Sequence, residues 1–300
     1  MNRKILSALI AVMIVISSLT LTSCGEKKEY PVTLGQTVIE KEPEKIVVLT
    51  KNLADIISTI GYDIKMVGRS DEVTQKGVQV VPSMGTAHSP SVASMDEVGA
   101  EVIFADSTLD PGIKEKLEKK GMDVVILDTA STPKQVSGLY KKIGRVLGGD
   151  VTGTQEGREA YAKLSDTLKS VREAANNDSN NIVRTITYLY IDNGVLKTFN
   201  QNTWGSTMLG LTGAINVFKT AETDVVDNAA LSLSNPDFIF CADKTTQEYI
   251  ASSKSLKKLN ALKTGAVFII PYDDITMQGN TALTTLETML RNMYPEDFNS

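Results

Sequence analysis

Short apolar runs, bounded by glycine and polar turns, alternate with stretches of helical spacing along most of this chain. Lys45-Ile-Val-Val-Leu-Thr50 is apolar with polar flanks, the mark of a buried strand. Leu53, Ile56, Ile57 and Ile60 then recur at helical spacing, and Gly61 stands at a C-cap position. Ile64 to Gly68 and Val102 to Ala105 read as further strands. Ile113 to Lys120 reads as a helix ending at Gly121, and Val124 to Leu127 as another strand. Upstream, Val32 to Glu40 alternates loosely and suits a hairpin around Gly35. Strands alternating with helices of this length predict βαβ units and a mostly parallel sheet.

From residue 153 the period changes. Residues 153–175 contain no proline, and Tyr161, Leu164, Leu168 and Val171 form one apolar stripe of a helix about 35 Å long. Asn176-Asn-Asp-Ser-Asn-Asn181 is a polar turn cluster that ends it. The second half repeats the first in outline. Strands are predicted at Ile182–Ile191, Phe238–Cys241 and Ala266–Ile270. Helices are predicted from Thr207, over Leu256–Leu262 and over Thr281–Met293. The expected fold is α/β: two Rossmann-like lobes with mostly parallel sheets, joined by one long backbone helix. The first lobe spans 32–150, the linking helix 151–177 and the second lobe 178–300. A surface helix is the alternative for the middle stretch; a rigid connector is the reading favoured.

The N-terminus carries a separate signal. Arg3 and Lys4 precede an apolar run from Ile5 to about Leu21, which ends in Leu-Thr-Ser-Cys24-Gly25. A charged start, a short apolar stretch and small residues before a cysteine make residues 1–23 a secretory signal with a lipobox. Cys24 is then the expected lipidation site, with 24–31 as a lipidated tether holding the protein on the outer face of a cell membrane. An uncleaved transmembrane anchor is the alternative, diluted by Ser7, Ser17, Ser18 and Thr20.

Composition narrows the chemistry. The net charge of −5 becomes more negative once Arg3 and Lys4 are removed, which argues against nucleic acid. With Cys24 acylated, Cys241 is the one thiol left, so no internal disulfide is expected. His88 is the sole histidine, which puts multi-imidazole metal sites out of reach. No G-x-S-x-G or H-E-x-x-H pattern occurs, and Asp71, Glu72 and Asp106 have no spacing that sets them apart from loop acids. A binding protein, monomeric and not an enzyme, is expected.

Several segments, in order, are similar to one family. GQTVIEKEPEKIVVLT, IGYDIKMVGRSD, MGTAHSPSVASMDEVGAEVIFA, LSNPDFIFCA and LKKLNALKTGAVFIIPYD together resemble the substrate-binding lipoproteins of ABC importers for iron–siderophores, haem and cobalamin. That resemblance implies a ligand held between two lobes and passed to a permease driven by an ATPase. It also implies one glutamate per lobe near a helix start for docking on the permease. Gap-free counting puts those positions at Ala93 and Ala229, with Asp96, Glu97 and Asp227 as the nearest acids. An orphan ligand sensor that feeds no permease is the alternative those alanines suggest.

Ligand is expected at loops following strands, as in open α/β sheets. The candidates are Lys51, Asn52, Arg69, Thr86 and His88 in the first lobe. In the second they are Lys197, Asn202, Trp204, Tyr272 and Met277. The resemblance places His88 where haem-binding relatives carry an axial ligand, making it a candidate for metal, with a backbone-bonded loop histidine as the alternative. Trp204, in a polar turn-like stretch, is expected to be exposed and to stack on a flat ligand. Lys51, Arg69 and Lys197 are few basic groups for a highly anionic chelate. The expected ligand is therefore a ferric hydroxamate siderophore, haem or a corrinoid.

Overall fold

A computed structural model describes residues 28–175 and 183–298. The secretory signal, Cys24, the start of the tether and the turn cluster 176–181 lie outside the described residues. The chain enters through β1 (Val32–Leu34) and β2 (Thr37–Ile39), an antiparallel hairpin turning at Gly35 with φ +63°. It continues as β3 (Ile46–Val48), α1 (Lys51–Ile60), β4 (Met66–Arg69) and α2 (Val92–Glu97). β5 (Val102–Ala105), α3 (Pro111–Lys119) and β6 (Asp123–Ile126) complete the first sheet region. Its strands run in the order β4-β3-β5-β6, all parallel.

α1 shows how local sequence sets an element. The Thr50 hydroxyl accepts the Leu53 N–H at its start, and Gly61 in the left-handed region donates to the Ile57 carbonyl at its end. Leu53, Ile56 and Ile57 are buried against the sheet, each contributing about 1.5–3 kcal/mol.

Two helices follow, where one was expected. α4 (Pro133–Gly148) leads through a single π-helical turn, Gly149–Gly153, into α5 (Thr154–Ala175). α4 was not foreseen, although Thr132 and Gln135 form a capping box and Val136, Leu139, Tyr140, Ile143 and Leu147 repeat at helical spacing. The two helices fold back on each other at backbone contact. A Cβ on Gly144 would lie 2.0 Å from the Gly153 carbonyl oxygen, and one on Gly157 would lie 2.2 Å from that of Tyr140. Gly144→Ala is therefore expected to destabilise by about 1–3 kcal/mol through overpacking. A lower urea midpoint at unchanged m-value would register it.

The second half contains β7 (Thr185–Asp192), β8 (Val195–Thr198), α6 (Trp204–Leu211), β9 (Ile215–Asn216) and α7 (Asn228–Ser234). β10 (Phe238–Cys241), α8 (Lys244–Ser252), α9 (Asn260–Thr264), β11 (Val267–Ile269), α10 (Tyr272–Thr276) and α11 (Thr281–Met293) close it. The sheet order is β11-β10-β7-β8, with β9 beside β7; all pairs are parallel except β7 with β8. The strand predicted at 182–191 is thus the first arm of a hairpin. Asn193 and Gly194, both at positive φ, supply its two-residue turn.

The long backbone helix expected between the lobes is α5. α5 packs on α1 and α4 from the first lobe and on α11 from the second. One apolar cluster therefore runs from Phe104 and Ile143 through Leu164 and Leu168 to Tyr188 and Leu290. The two sheets stay separate, but their cores meet along the helical spine. A smaller cluster around Val47, Met95, Ile103 and Leu117 covers the outer face of the first sheet.

A second tie joins the lobes at residues 277–281. Gln278 is fully buried and directs every polar group it has at the first lobe. Its side-chain oxygen accepts from Asn52 Nδ2 at 3.0 Å, and its own N–H donates to Asn52 Oδ1 at 3.0 Å. Its side-chain nitrogen donates to the Ala130 carbonyl, and its carbonyl accepts from the Tyr140 hydroxyl at 2.8 Å. Beside it, Asp55 accepts from Gly279 N at 2.8 Å and from the Thr281 hydroxyl at 2.9 Å. Burial raises the Asp55 pKa, and these donors hold it back. Gly279 is required there, since a Cβ would lie 2.5 Å from Asp55.

Candidate functional site

Loops at the carboxyl ends of both sheets face each other across a cleft. Its second-lobe half is a cavity of about 540 Å³ with a wall of Tyr190, Phe199, Trp204 and Tyr272 and a floor at Thr198 and Thr203. Thr129 to Ser131, following β6, reach into it from the first lobe. The first-lobe half is a cavity of about 390 Å³ lined by Thr50, Lys51, Glu72, Ala87 and Asp106, with Asp273 and Met277 added from the second lobe. Thr129 borders both halves. Each half thus belongs mainly to one lobe and is completed by the other, in the size range of small-molecule sites.

The aromatic wall is a packed unit. Tyr190 and Tyr272 have ring centroids 4.9 Å apart, Tyr190 and Phe199 5.6 Å, and Phe199 and Tyr272 5.7 Å. Tyr272 is 41% exposed where it lines the cavity. Burial pushes the Tyr190 hydroxyl up to about 12 and raises that of Tyr272, so both stay neutral at ordinary pH. Gly205 at the start of α6 lets Phe199 close in, since a Cβ there would lie 2.3 Å from the Phe199 ring.

Among the residues singled out from sequence, the structure brings Lys51, Asn52, Trp204, Tyr272 and Met277 to the cleft. Trp204 corrects an expectation: it is buried, and its indole N–H donates to the Met277 carbonyl at 2.7 Å. It forms the back of the aromatic wall instead of standing free to stack. Asn52 lines the first-lobe half with its amide hydrogen-bonded to Gln278. Lys51 reaches the cavity paired with Asp273. Lys197 lies just outside the lining, 3.0 Å from Asp192 and 3.4 Å from Asp224, whose hydrogen bonds raise its pKa.

Arg69, Thr86, His88 and Asn202 do not line either half. Arg69 donates to the Ser70 carbonyl at 3.0 Å, and the Thr86 hydroxyl accepts from Ser89 N at 3.2 Å. Asn202 is exposed in a left-handed turn with φ 65°. His88 is exposed, with Nδ1 2.5 Å from the Thr108 carbonyl oxygen. A carbonyl partner places the neutral imidazole's proton on Nδ1 and leaves the Nε2 lone pair unused. Among the described residues, no group of three or more His, Cys, Asp or Glu is placed to hold a metal ion. Sequence reasoning missed Tyr190, Phe199, Glu222 and Asp224; Phe199 closes a strand hidden behind the Asn193-Gly194 turn.

On the outer surface, Ala93 and Ala229 occupy equivalent places. Each is exposed and second in its helix, after a side-chain cap from Ser91 or Asp227. Asp96 is paired with Lys120 at 2.7 Å, and Asp227 accepts from Ala230 N at 2.7 Å. Glu97 is exposed. No helix among the described residues is long and apolar enough to cross a membrane.

Residues 46–273 match the model of the periplasmic binding protein family, and the chain belongs to that family. It is thereby a substrate-binding protein of the ABC-transporter kind, and not an enzyme. It is 23% identical over 279 residues, covering 90% of this chain and 87% of the relative, to the Bacillus subtilis (strain 168) uncharacterized ABC transporter substrate-binding lipoprotein YvrC. Among solved structures it resembles a possible iron-binding (periplasmic solute-binding) protein from Staphylococcus epidermidis ATCC 12228. The TM-score is 0.72 at 17% identity, over 85% of this chain and 100% of that one. It also resembles the periplasmic heme binding protein HutB of Vibrio cholerae, with TM-score 0.68 at 15% identity, over 85% and 100% of the two chains.

Proposed function

We propose that this protein is the lipid-anchored, extracytoplasmic receptor of an ABC importer, taking up an iron chelate or haem in the cleft and delivering it to the permease. The observation that carries the reading is the cleft itself: strand-end loops of two lobes enclose an aromatic-walled cavity of about 540 Å³. The likeness to a possible iron-binding protein and to a heme binding protein favours an iron chelate over a corrinoid such as cobalamin. With no group of three metal-binding side chains among the described residues, the chelator supplies most or all of the metal's ligands. His88 Nε2 is the one imidazole nitrogen that could add to them, and only from outside the cavity lining.

Ligand enters a cleft that is largely preformed. The Gln278 and Asp55 ties oppose hinge opening, so recognition rests on side-chain adjustment at Tyr272 and Lys51 more than on lobe closure. Docking on the permease uses the α2 and α7 faces, where Glu97 is a carboxylate without a salt-bridge partner among the described residues, while Asp96 is paired and Asp227 caps a helix. Cys24 carries the anchor. Calorimetry with haemin, cobalamin and ferric trihydroxamates is expected to give saturable one-to-one binding for at least one iron compound. No binding by any of them would refute the receptor reading.

A further inference from the structure

We infer that the cleft selects a chelate of net positive charge, and that Glu72, Asp106 and Glu222 set this preference. This deepens the receptor reading and rests on it. Five carboxylates line the two halves: Glu72, Asp106 and Asp273 on one side, Glu222 and Asp224 on the other. A single ammonium, Lys51, lines them with these acids. Asp273 is balanced by Lys51 and Asp224 by Lys197. Glu72, Asp106 and Glu222 are left without a salt-bridge partner among the described residues.

Hydrogen bonds keep two of these acids aimed without neutralising them. Glu72 accepts from Ala87 N at 3.0 Å, and Asp106 accepts from Thr108 N at 2.9 Å. Opposing them, α1 and α6 begin at the cleft, at Thr50 and Thr203. A helix N-terminus contributes about half a positive charge, so two of them fall short of three whole negative ones. The aromatic wall points the same way. Tyr190 and Tyr272, both partly exposed in it, are π-rich groups that favour a cation over an anion.

A ferric complex of three hydroxamates is neutral, and a pendant ammonium makes it a monocation. Three catecholates instead give three negative charges, and haem brings two propionates; each would face unpaired carboxylates. The test is a series of three ferric trihydroxamates identical around the iron, whose chain end is a free ammonium, an acetylated amine or a succinylated amine. Calorimetry on the full two-lobed protein is expected to rank them cationic, neutral, anionic, with about tenfold lost at each step. The steps should shrink in 1 M salt and in the Glu72→Gln/Asp106→Asn/Glu222→Gln variant. If that variant does not fold, Glu222→Gln alone, at an exposed position, is expected to narrow the ranking by about threefold. Equal affinities, a preference for the succinylated complex, or tight binding of haemin alone would overturn charge selection while leaving the receptor reading intact. Failure of haemin, cobalamin and all three complexes to bind would remove the receptor reading and this inference together.

Discussion

Gln278→Ala is expected to destabilise the protein by about 2–4 kcal/mol, because it strands buried polar groups of the other lobe. The Asn52 amide would lose its acceptor in a buried setting, and the half-buried Ala130 carbonyl would lose its donor. Tyr140 would keep its bond, since that runs to the backbone carbonyl of residue 278. Urea unfolding followed by tryptophan emission measures the loss. Lobe motion should appear at the same time, as a larger radius of gyration in solution scattering under native conditions. A variant as stable as wild type would mean that the tie contributes little and that the helical spine alone sets the cleft.

Tyr272→Ala is expected to weaken chelate binding by about tenfold or more, through loss of an aromatic face and its buried area. Tyr272 is partly exposed, and its neighbours Tyr190 and Phe199 still contact each other, so the fold should tolerate the change. Tyr272→Phe keeps the ring and should bind within about threefold of wild type if ring contact is what matters. Equal weakening in both variants would assign the effect to the hydroxyl instead. Calorimetric titration with the tightest ligand of the panel separates these outcomes.

Periodicity carried most of the architecture. The apolar runs at 46–48, 102–105 and 238–241 are strands, and the stripe through Leu164 and Leu168 is a helix whose apolar side is buried. Two elements escaped for identifiable reasons. The helix 133–148 begins with a proline just after Ser131 and Thr132, residues that mark turns as readily as helix starts, so its capping box is masked. The strand predicted to stop at Ile191 is followed by Asn193-Gly194, a pair that marks a loop in general but here is the two-residue turn of a hairpin.

The site was legible only in part, because pairing across the cleft leaves no local trace. Residues 51 and 273 lie far apart in sequence, so nothing near Lys51 announced that its charge is met. Asn52 looked like a ligand contact for the same reason: Gln278, its partner, comes more than two hundred residues later. Trp204 misled through its polar neighbours. Thr203 caps α6 and turns the indole inward, where the Met277 carbonyl takes its N–H. Lys197 reads as a ligand cation until the fold sets it between Asp192 and Asp224.

Trp204 is the chain's single tryptophan, and it sits in the cleft wall against the 277–281 tie. Its emission therefore reports the cleft directly. Titration with a ferric chelate that calorimetry shows to bind is predicted to change that emission saturably, at one ligand per protein, and with a lower affinity in Tyr272→Ala. Binding that leaves Trp204 emission untouched would place the ligand elsewhere and contradict a receptor built around the space between the lobes.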